Sequence, residues 1–337
     1  MARLTWAALA GILVLQGQAA AEFQTAQSLI NSPGVFNSAR LYTNVQADTT
    51  NTPIEAFQAA INTNTSLLLG IWCSGTANIT NELDALSTAI DKFGSSLADL
   101  VVGISVGSED MYRASESGVT NDAGVGAGPD AIVKFINRTR KAIEGTPLAD
   151  IPVGHVDTWS AWSNKSNKAV VEAVDWVGTD LYPFYEYELN NSFANAVSIF
   201  DDLHQITVNA SQDKPVWITE TGWPKSGDSK GNATTGVDLM ADYWQEIGCN
   251  KLFGRINTWW YTLKDADASS AQMFAITDDD LSTSALFDLT CANNSGAPAT
   301  VNAGVRDTTS GARRIAQGVS TMGLIVVGFG LISGFGW

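Results

Sequence analysis

Apolar and polar positions follow two rhythms along this chain. Six stretches, over 22–31, 53–62, 78–100, 130–145, 192–211 and 235–248, carry apolar residues at helical spacing. Between them lie seven short, nearly continuous apolar runs: Ala39–Thr43, Ser66–Trp72, Val101–Gly107, Ile151–Asp157, Val174–Tyr182, Pro215–Glu220 and Arg255–Tyr261. Runs of this length without alternation predict strands buried on both faces, as in a parallel sheet. Their alternation with helices predicts repeated βαβ units, and over some 270 residues the architecture that fits is a single (β/α)8 TIM barrel. A doubly wound sheet is the competing arrangement, but no glycine-rich phosphate loop opens any of the helices. A closed barrel needs eight strands and the pattern supplies seven. No strand precedes the helix at residue 22, so the expectation is an α/β barrel lacking its first strand, over 22–291.

The two ends read as targeting signals. Arg3, the apolar stretch Leu4–Leu15 and the small residues Ala19, Ala20 and Ala21 predict a signal peptide over 1–21, cleaved before Glu22. Residues 292–317 are rich in Ser, Thr, Gly and Ala and predict a linker. They hold two small-residue attachment candidates, Asn302 and Ser310, and are followed over 318–337 by an uncharged apolar segment. Small residues, polar spacer and apolar end form the order of a GPI-anchor signal, with the tail as a removed propeptide. A retained tail anchor is the competing reading. The expectation is a secreted protein at the cell membrane and wall. Asn-x-Ser/Thr sequons at Asn64, Asn78, Asn137, Asn164, Asn190, Asn209, Asn232 and Asn293 fit that setting as N-glycosylation sites.

A formal charge of −16 argues against a nucleic-acid partner and leaves a neutral polymer open. His155 and His204 are the only histidines, with no clustered ligands and no Gly-x-Ser-x-Gly elbow. Neither a zinc site nor a Ser-His-Asp hydrolase is expected, and no metal or organic cofactor is. Three cysteines, Cys73, Cys249 and Cys291, leave one unpaired, and spacing alone does not choose among three pairings.

In a barrel of this kind the chemistry sits where strands end. The run from Val101 ends in Ser108-Glu109-Asp110, and the run from Pro215 ends in Glu220-Thr221-Gly222-Trp223. Two carboxyl groups on one rim are the equipment of glycoside hydrolysis, one protonated to donate to the leaving oxygen and one ionised to attack the anomeric carbon. Other strand ends supply Tyr42, Asp157, Asp180, Tyr182 and Lys264. With Ser108 and with Trp223 as a stacking face, these are the substrate-binding candidates.

At these residues the sequence resembles glycoside hydrolase family 17, in its fungal cell-wall β-1,3-glucanase branch. Trp217-Ile-Thr-Glu-Thr-Gly-Trp-Pro224 resembles the family's nucleophile motif, and Val106-Gly-Ser-Glu-Asp-Met-Tyr-Arg113 the fungal form of its acid/base motif. The resemblance runs from about Glu22 to Cys291. It implies a (β/α)8 barrel, a retaining mechanism, Glu109 as proton donor, Glu220 as nucleophile, and a Cys249–Cys291 disulfide. Position 108 is Ser where the wider family often has Asn, and the Gly-Phe-Asn-Tyr-Gly-like first strand is absent. The expected activity is hydrolysis of internal β-1,3-glucosidic bonds in wall glucan by a monomer anchored through GPI. The alternatives are a β-1,3-glucanosyltransferase of the same fold and an inactive wall glucan-binding protein.

Overall fold

The computed structural model describes residues 17–266, 270–292 and the backbone of 322–325. Most of the signal-peptide reading, Asn293, Asn302, Ser310 and nearly all of the linker and tail lie outside the described residues. Of the segment read as the leader's end, Ala19 is buried in the main core beside Phe23, on a helix over 17–27.

Among the described residues ten strands occur in chain order: β1 (Ser38–Arg40), β2 (Ser66–Ile71), β3 (Val101–Ser108), β4 (Val153–Thr158), β5 (Val177–Asp180), β6 (Val216–Thr221), β7 (Ser226–Gly227), β8 (Thr258–Trp260), β9 (Gln272–Met273) and β10 (Met322–Ile325). β7 and β9 form a small antiparallel pair. The other eight close into a parallel barrel in the order β1, β10, β8, β6, β5, β4, β3, β2. Seven of the eight fall in the seven apolar runs, with helices between them as the spacing predicts. The expected gap is where the picture changes. β10 stands between β1 and β8, with Ser38 opposite Gly323 and Gly323 opposite Trp259, so a segment of the apolar tail occupies the place of the missing first strand. Backbone N–H and C=O groups at an open edge demand partners, and an uncharged apolar stretch can supply them.

The helix expected over 78–100 breaks at Gly94 into Thr80–Phe93 and Ser95–Ala98. The one expected over 235–248 is α-helical over Val237–Tyr243 and widens into π-turns over Trp244–Leu252. Tryptophans fill the barrel's interior. The rings of Trp176 and Trp217 stack with centroids 4.1 Å apart, beside the fully buried Trp259. The strand glycines make room for them: a Cβ on Gly154 would stand 2.3 Å from the Trp176 ring. Such stacking adds about 0.5–1.5 kcal/mol beyond the area buried.

Cys249 and Cys291 form a disulfide 42 residues apart in sequence, which in the chain-entropy account contributes about 4 kcal/mol. Cys73 is a buried free thiol. The seven described sequon asparagines are all exposed. Among the described residues no helix is long and apolar enough to cross a membrane.

Candidate active site

The site is assembled where β1, β3, β4, β5 and β6 end. At the end of β3 the chain turns sharply. Gly107 has φ +92°, and a Cβ there would stand 2.3 Å from Asp110 Oδ2 and 2.9 Å from the His155 ring, so only glycine fits. Glu109 is itself left-handed at φ 55°. A single helical turn, Asp110–Arg113, follows. Its leading amides are capped from β4: Met111 N–H donates to Asp157 Oδ2 at 2.9 Å and Tyr112 N–H to Asp157 Oδ1 at 3.2 Å. The Glu109 N–H donates to the Val156 carbonyl at 2.9 Å. This turn delivers the Glu109 side chain into the barrel mouth, 4% exposed.

Glu220 arrives at the end of β6, 3% exposed. Its Oε1 accepts from the Arg40 guanidinium and from Tyr42 OH at 2.6 Å, and its Oε2 accepts from Tyr182 OH at 2.8 Å. A cation and two hydroxyl donors on its oxygens hold this buried carboxylate in a fixed position. The second Arg40 nitrogen, Nη2, donates to Ser108 Oγ at 2.9 Å. One guanidinium therefore ties the β6 carboxylate to the residue before Glu109. Asp180 lies 4.0 Å from Arg40 Nη1 and accepts from Thr219 OH at 2.6 Å. Burial first, and the neighbouring Glu220 charge second, push Asp180 well above the usual carboxylate range.

Glu109 has the opposite environment. Its Oε2 lies 3.3 Å from Arg113 Nη2, while Oε1 is buried with no hydrogen-bond partner among the described residues. Burial raises its pKa to about 8; Arg113 pulls against that, and the Glu220 and Asp157 charges add to it. The two carboxyl groups of one pocket thus stand in contrasting surroundings, one bound by a cation and two hydroxyls, the other kept protonated by burial, and a glycosidic cleavage requires such a contrast.

The sequence-derived candidates divide into those on the carboxyl pair and those elsewhere. Tyr42, Ser108, Asp180 and Tyr182 gather around Glu220 and Arg40 as described. Trp223 does not: it is fully buried, edge-on to Phe184 and Phe193, with its Nε1–H donating to the Thr234 carbonyl at 3.0 Å. It is core, not a sugar platform. Half-buried aromatic surface at the strand ends comes instead from Trp72, Tyr112, Trp159, Tyr185 and Tyr261. Asp157 is fully buried and both of its oxygens accept from protein N–H groups, which leaves it no free lone pair for a substrate. The charge of half-buried Lys264 acts on Glu22 of the first helix. Sequence reading missed Arg40, although a charge inside an apolar strand run was its signal. It also missed the buried set Asp110, His155 and Arg113, which no spacing reveals. Among the described residues no group of three or more His, Cys, Asp or Glu side chains is placed to hold a metal.

The buried carboxyls carry a consequence for stability. Burial lifts Glu22 and Glu82 to about 7 and Glu109 to about 8, from an ordinary 4.5. Between those values the folded chain binds more protons than the unfolded chain, so stability falls as pH rises through that window. His155, raised above 6.5, acts in the same direction, its contribution being complete below that value and lost as pH rises through the folded one. The melting temperature is expected to be several degrees lower at pH 8 than at pH 5, as read by scanning calorimetry.

Comparison with known proteins agrees with this geometry. The profile of the BtgE/BtgC glycoside hydrolase domain matches residues 16–276. "Probable glucan endo-1,3-beta-glucosidase eglC" of Aspergillus niger is 52% identical over 275 residues, which cover 81% of this chain and 59% of that protein. The Aspergillus oryzae protein of the same name is 50% identical over 285 residues, covering 84% of this chain and 61% of that one. The chain therefore spans about three-fifths of the length of these curated relatives. Among solved structures, a glycoside hydrolase family 17 β-1,3-glucanosyltransferase from Rhizomucor miehei superposes with a TM-score of 0.64 at 20% identity, over 80% of this chain and 92% of that one. An endo-laminarinase from Formosa superposes with a TM-score of 0.53 at 17% identity, over 69% of each chain. These two likenesses are of fold. With the profile spanning seven of the eight barrel strands, both carboxyl-bearing ones among them, the chain belongs to the BtgE/BtgC glycoside hydrolase domain family.

Proposed function

We propose that the protein is a retaining endo-β-1,3-glucanase acting on cell-wall glucan. The observation that carries the reading is the contrast between the two carboxyl groups: Glu220 is bound by Arg40, Tyr42 and Tyr182, while Glu109 is buried with one oxygen unpartnered and its pKa raised to about 8. In the first step a Glu220 oxygen bonds to the anomeric carbon as the glycosidic bond breaks, and the Glu109 proton passes to the departing sugar oxygen. In the second, Glu109, now ionised, takes a proton from an incoming hydroxyl whose oxygen displaces Glu220. Water as acceptor gives hydrolysis, and a second glucan chain gives transfer. The substrate class is supported by the names of the curated relatives and by a laminaritriose complex of the Rhizomucor transferase.

The fungal setting of those relatives and the expected leader and tail support a place outside the cell, at the membrane and wall. The transferase reading rests on the Rhizomucor likeness, which is weaker in sequence than the glucanase matches. The test is laminarin digestion followed by chromatography and early-time NMR of the anomers. Mixed short oligomers released first as β-anomers are expected. Products longer than a defined laminari-oligosaccharide substrate would move the assignment to transfer, and glucan binding without any cleavage would overturn the enzyme reading.

A further inference from the structure

The turn that carries Glu109 is held by a buried charged group that takes no part in the reaction as written. His155 is fully buried on β4. Its Nδ1 lies 2.6 Å from the Val106 carbonyl and its Nε2 lies 3.0 Å from Asp157 Oδ2. A carbonyl can only accept, so Nδ1 carries a hydrogen. Asp157 already accepts the N–H groups of Met111, Tyr112 and Thr158, the last at 2.9 Å, so it faces the ring as one more acceptor. Nε2 must then carry a hydrogen too. A second carboxyl group, Asp110, faces the same ring across Gly107, with Oδ2 accepting from Ser108 N–H at 2.8 Å and Oδ1 from Ser74 OH at 2.7 Å. The remaining titratable groups of the cluster are Glu109 and Arg113, and the ring's other face meets Trp162 edge-on at 5.6 Å.

We infer that His155 is a positioning residue protonated at neutral pH, an imidazolium clamped between Asp157 and the Val106 carbonyl that fixes the turn bearing the proton donor. The inference rests on reading Glu109 as that donor. Every contact it organises lies on the turn. Asp157 caps Met111 and Tyr112, immediately after Glu109. The Val106 carbonyl and Gly107 lie immediately before it. Asp110 closes the loop back onto Ser108, whose hydroxyl accepts from Arg40. Without the ring's second proton, Nε2 and Asp157 Oδ2 would set lone pair against lone pair at 3.0 Å in a dry interior, and the cap would have to move. The raised pKa of His155 agrees with this arrangement, since its hydrogen bond to Asp157 and the charges of Asp157 and Asp110 together outweigh burial.

The experiment has two readouts. With two histidines in the chain, ring 15N NMR with His204→Gln as the assignment control reports each ring separately. At pH 7 both nitrogens of His155 are expected to be protonated; a singly protonated neutral ring at that pH overturns the inference. The second readout is kinetic. His155→Gln is expected to lower kcat on β-1,3-glucan by roughly 10²-fold. On a dinitrophenyl β-laminaribioside, whose leaving group departs without a proton, bond cleavage should change less than about fivefold, with KM near the wild-type value on both. Asp157→Asn, nearly the same shape, should give the same split if His155→Gln does not fold. Equal losses on both substrates would mean a merely structural histidine and overturn the proposal. The NMR readout needs no substrate, so a wild-type chain that cleaves neither compound defeats the functional reading, while a neutral His155 ring defeats this one.

Discussion

Glu220→Ala is expected to lower glucan cleavage by roughly 10⁴-fold or more, because a covalent path with one nucleophile has no partial substitute. Cavity and charge changes at the site should leave the fold in place. Arg40 keeps Asp180 at 4.0 Å, and Tyr42 and Tyr182 lose an acceptor at a mouth that water can reach when the methyl group replaces the carboxylate. Azide turns this loss into a stereochemical test. In Glu220→Ala the anion enters the vacated side, opposite the leaving sugar, and an α-glucosyl azide is expected while Glu109 still protonates the departing oxygen. In Glu109→Ala the glycosyl-enzyme still forms from an activated aryl glycoside, and azide attacks it from the other side to give the β-glucosyl azide. The same azide anomer from both variants would remove the assignment of roles. No rescue of either would leave the carboxyl pair without a part in the reaction.

How much of this was legible beforehand depended on whether the signal was local. β3 and β6 could be read because a continuous apolar run ending abruptly in polar residues is a property of six to eight neighbours, and Glu109 and Glu220 stand at those ends. The direction a side chain takes after the strand is not local. Trp223 follows Glu220 by three positions, as a cleft residue would, yet it packs against Phe184 and Phe193, which are about 30 to 40 positions away in the chain. Asp157 sits at a strand end like a ligand-binding acid, but the amides that fill its oxygens come from the neighbouring strand's turn. Arg40 was present inside an apolar run; its meaning became clear only when β6 lay beside it, 180 positions on.

The tail poses a different problem. An uncharged apolar stretch carries no sign of whether it lies in lipid or between two strands, since both settings reward the same residues. Here the backbone of Met322–Ile325 pairs with β1 on one side and β8 on the other. A tail removed as a propeptide could not hold that position, so the anchor expectation and the strand pairing of this segment exclude each other.

Replacing Arg40 should show how far one side chain joins fold and chemistry. It is 1% exposed, donates to Glu220 and to Ser108 Oγ, and its guanidinium lies 4.5 Å from the centre of the Tyr42 ring. Burial works against its charge, yet the neighbouring carboxyl groups of Asp180 and Glu220 hold it firmly protonated. Arg40→Met removes the only cation beside Glu220 and Asp180 that those contacts show. Breaking a buried ion pair from one side costs about 3–5 kcal/mol, which in a domain of this size lowers the melting temperature by roughly 10 °C. The chemical loss should be larger than the stability loss suggests. Without the cation the Glu220 carboxylate loses the donor that holds it in place for attack, so kcat/KM is expected to fall roughly 10³-fold or more. Arg40→Lys separates the two effects. An ammonium restores charge but cannot span Glu220 and Ser108 at once, so most of the stability should return while kcat/KM stays roughly 10²-fold down. If the lysine variant regains wild-type turnover, charge alone suffices and the fork from β1 to the Glu109 turn has no catalytic part; if it melts as low as the methionine variant, the fork is what the fold requires.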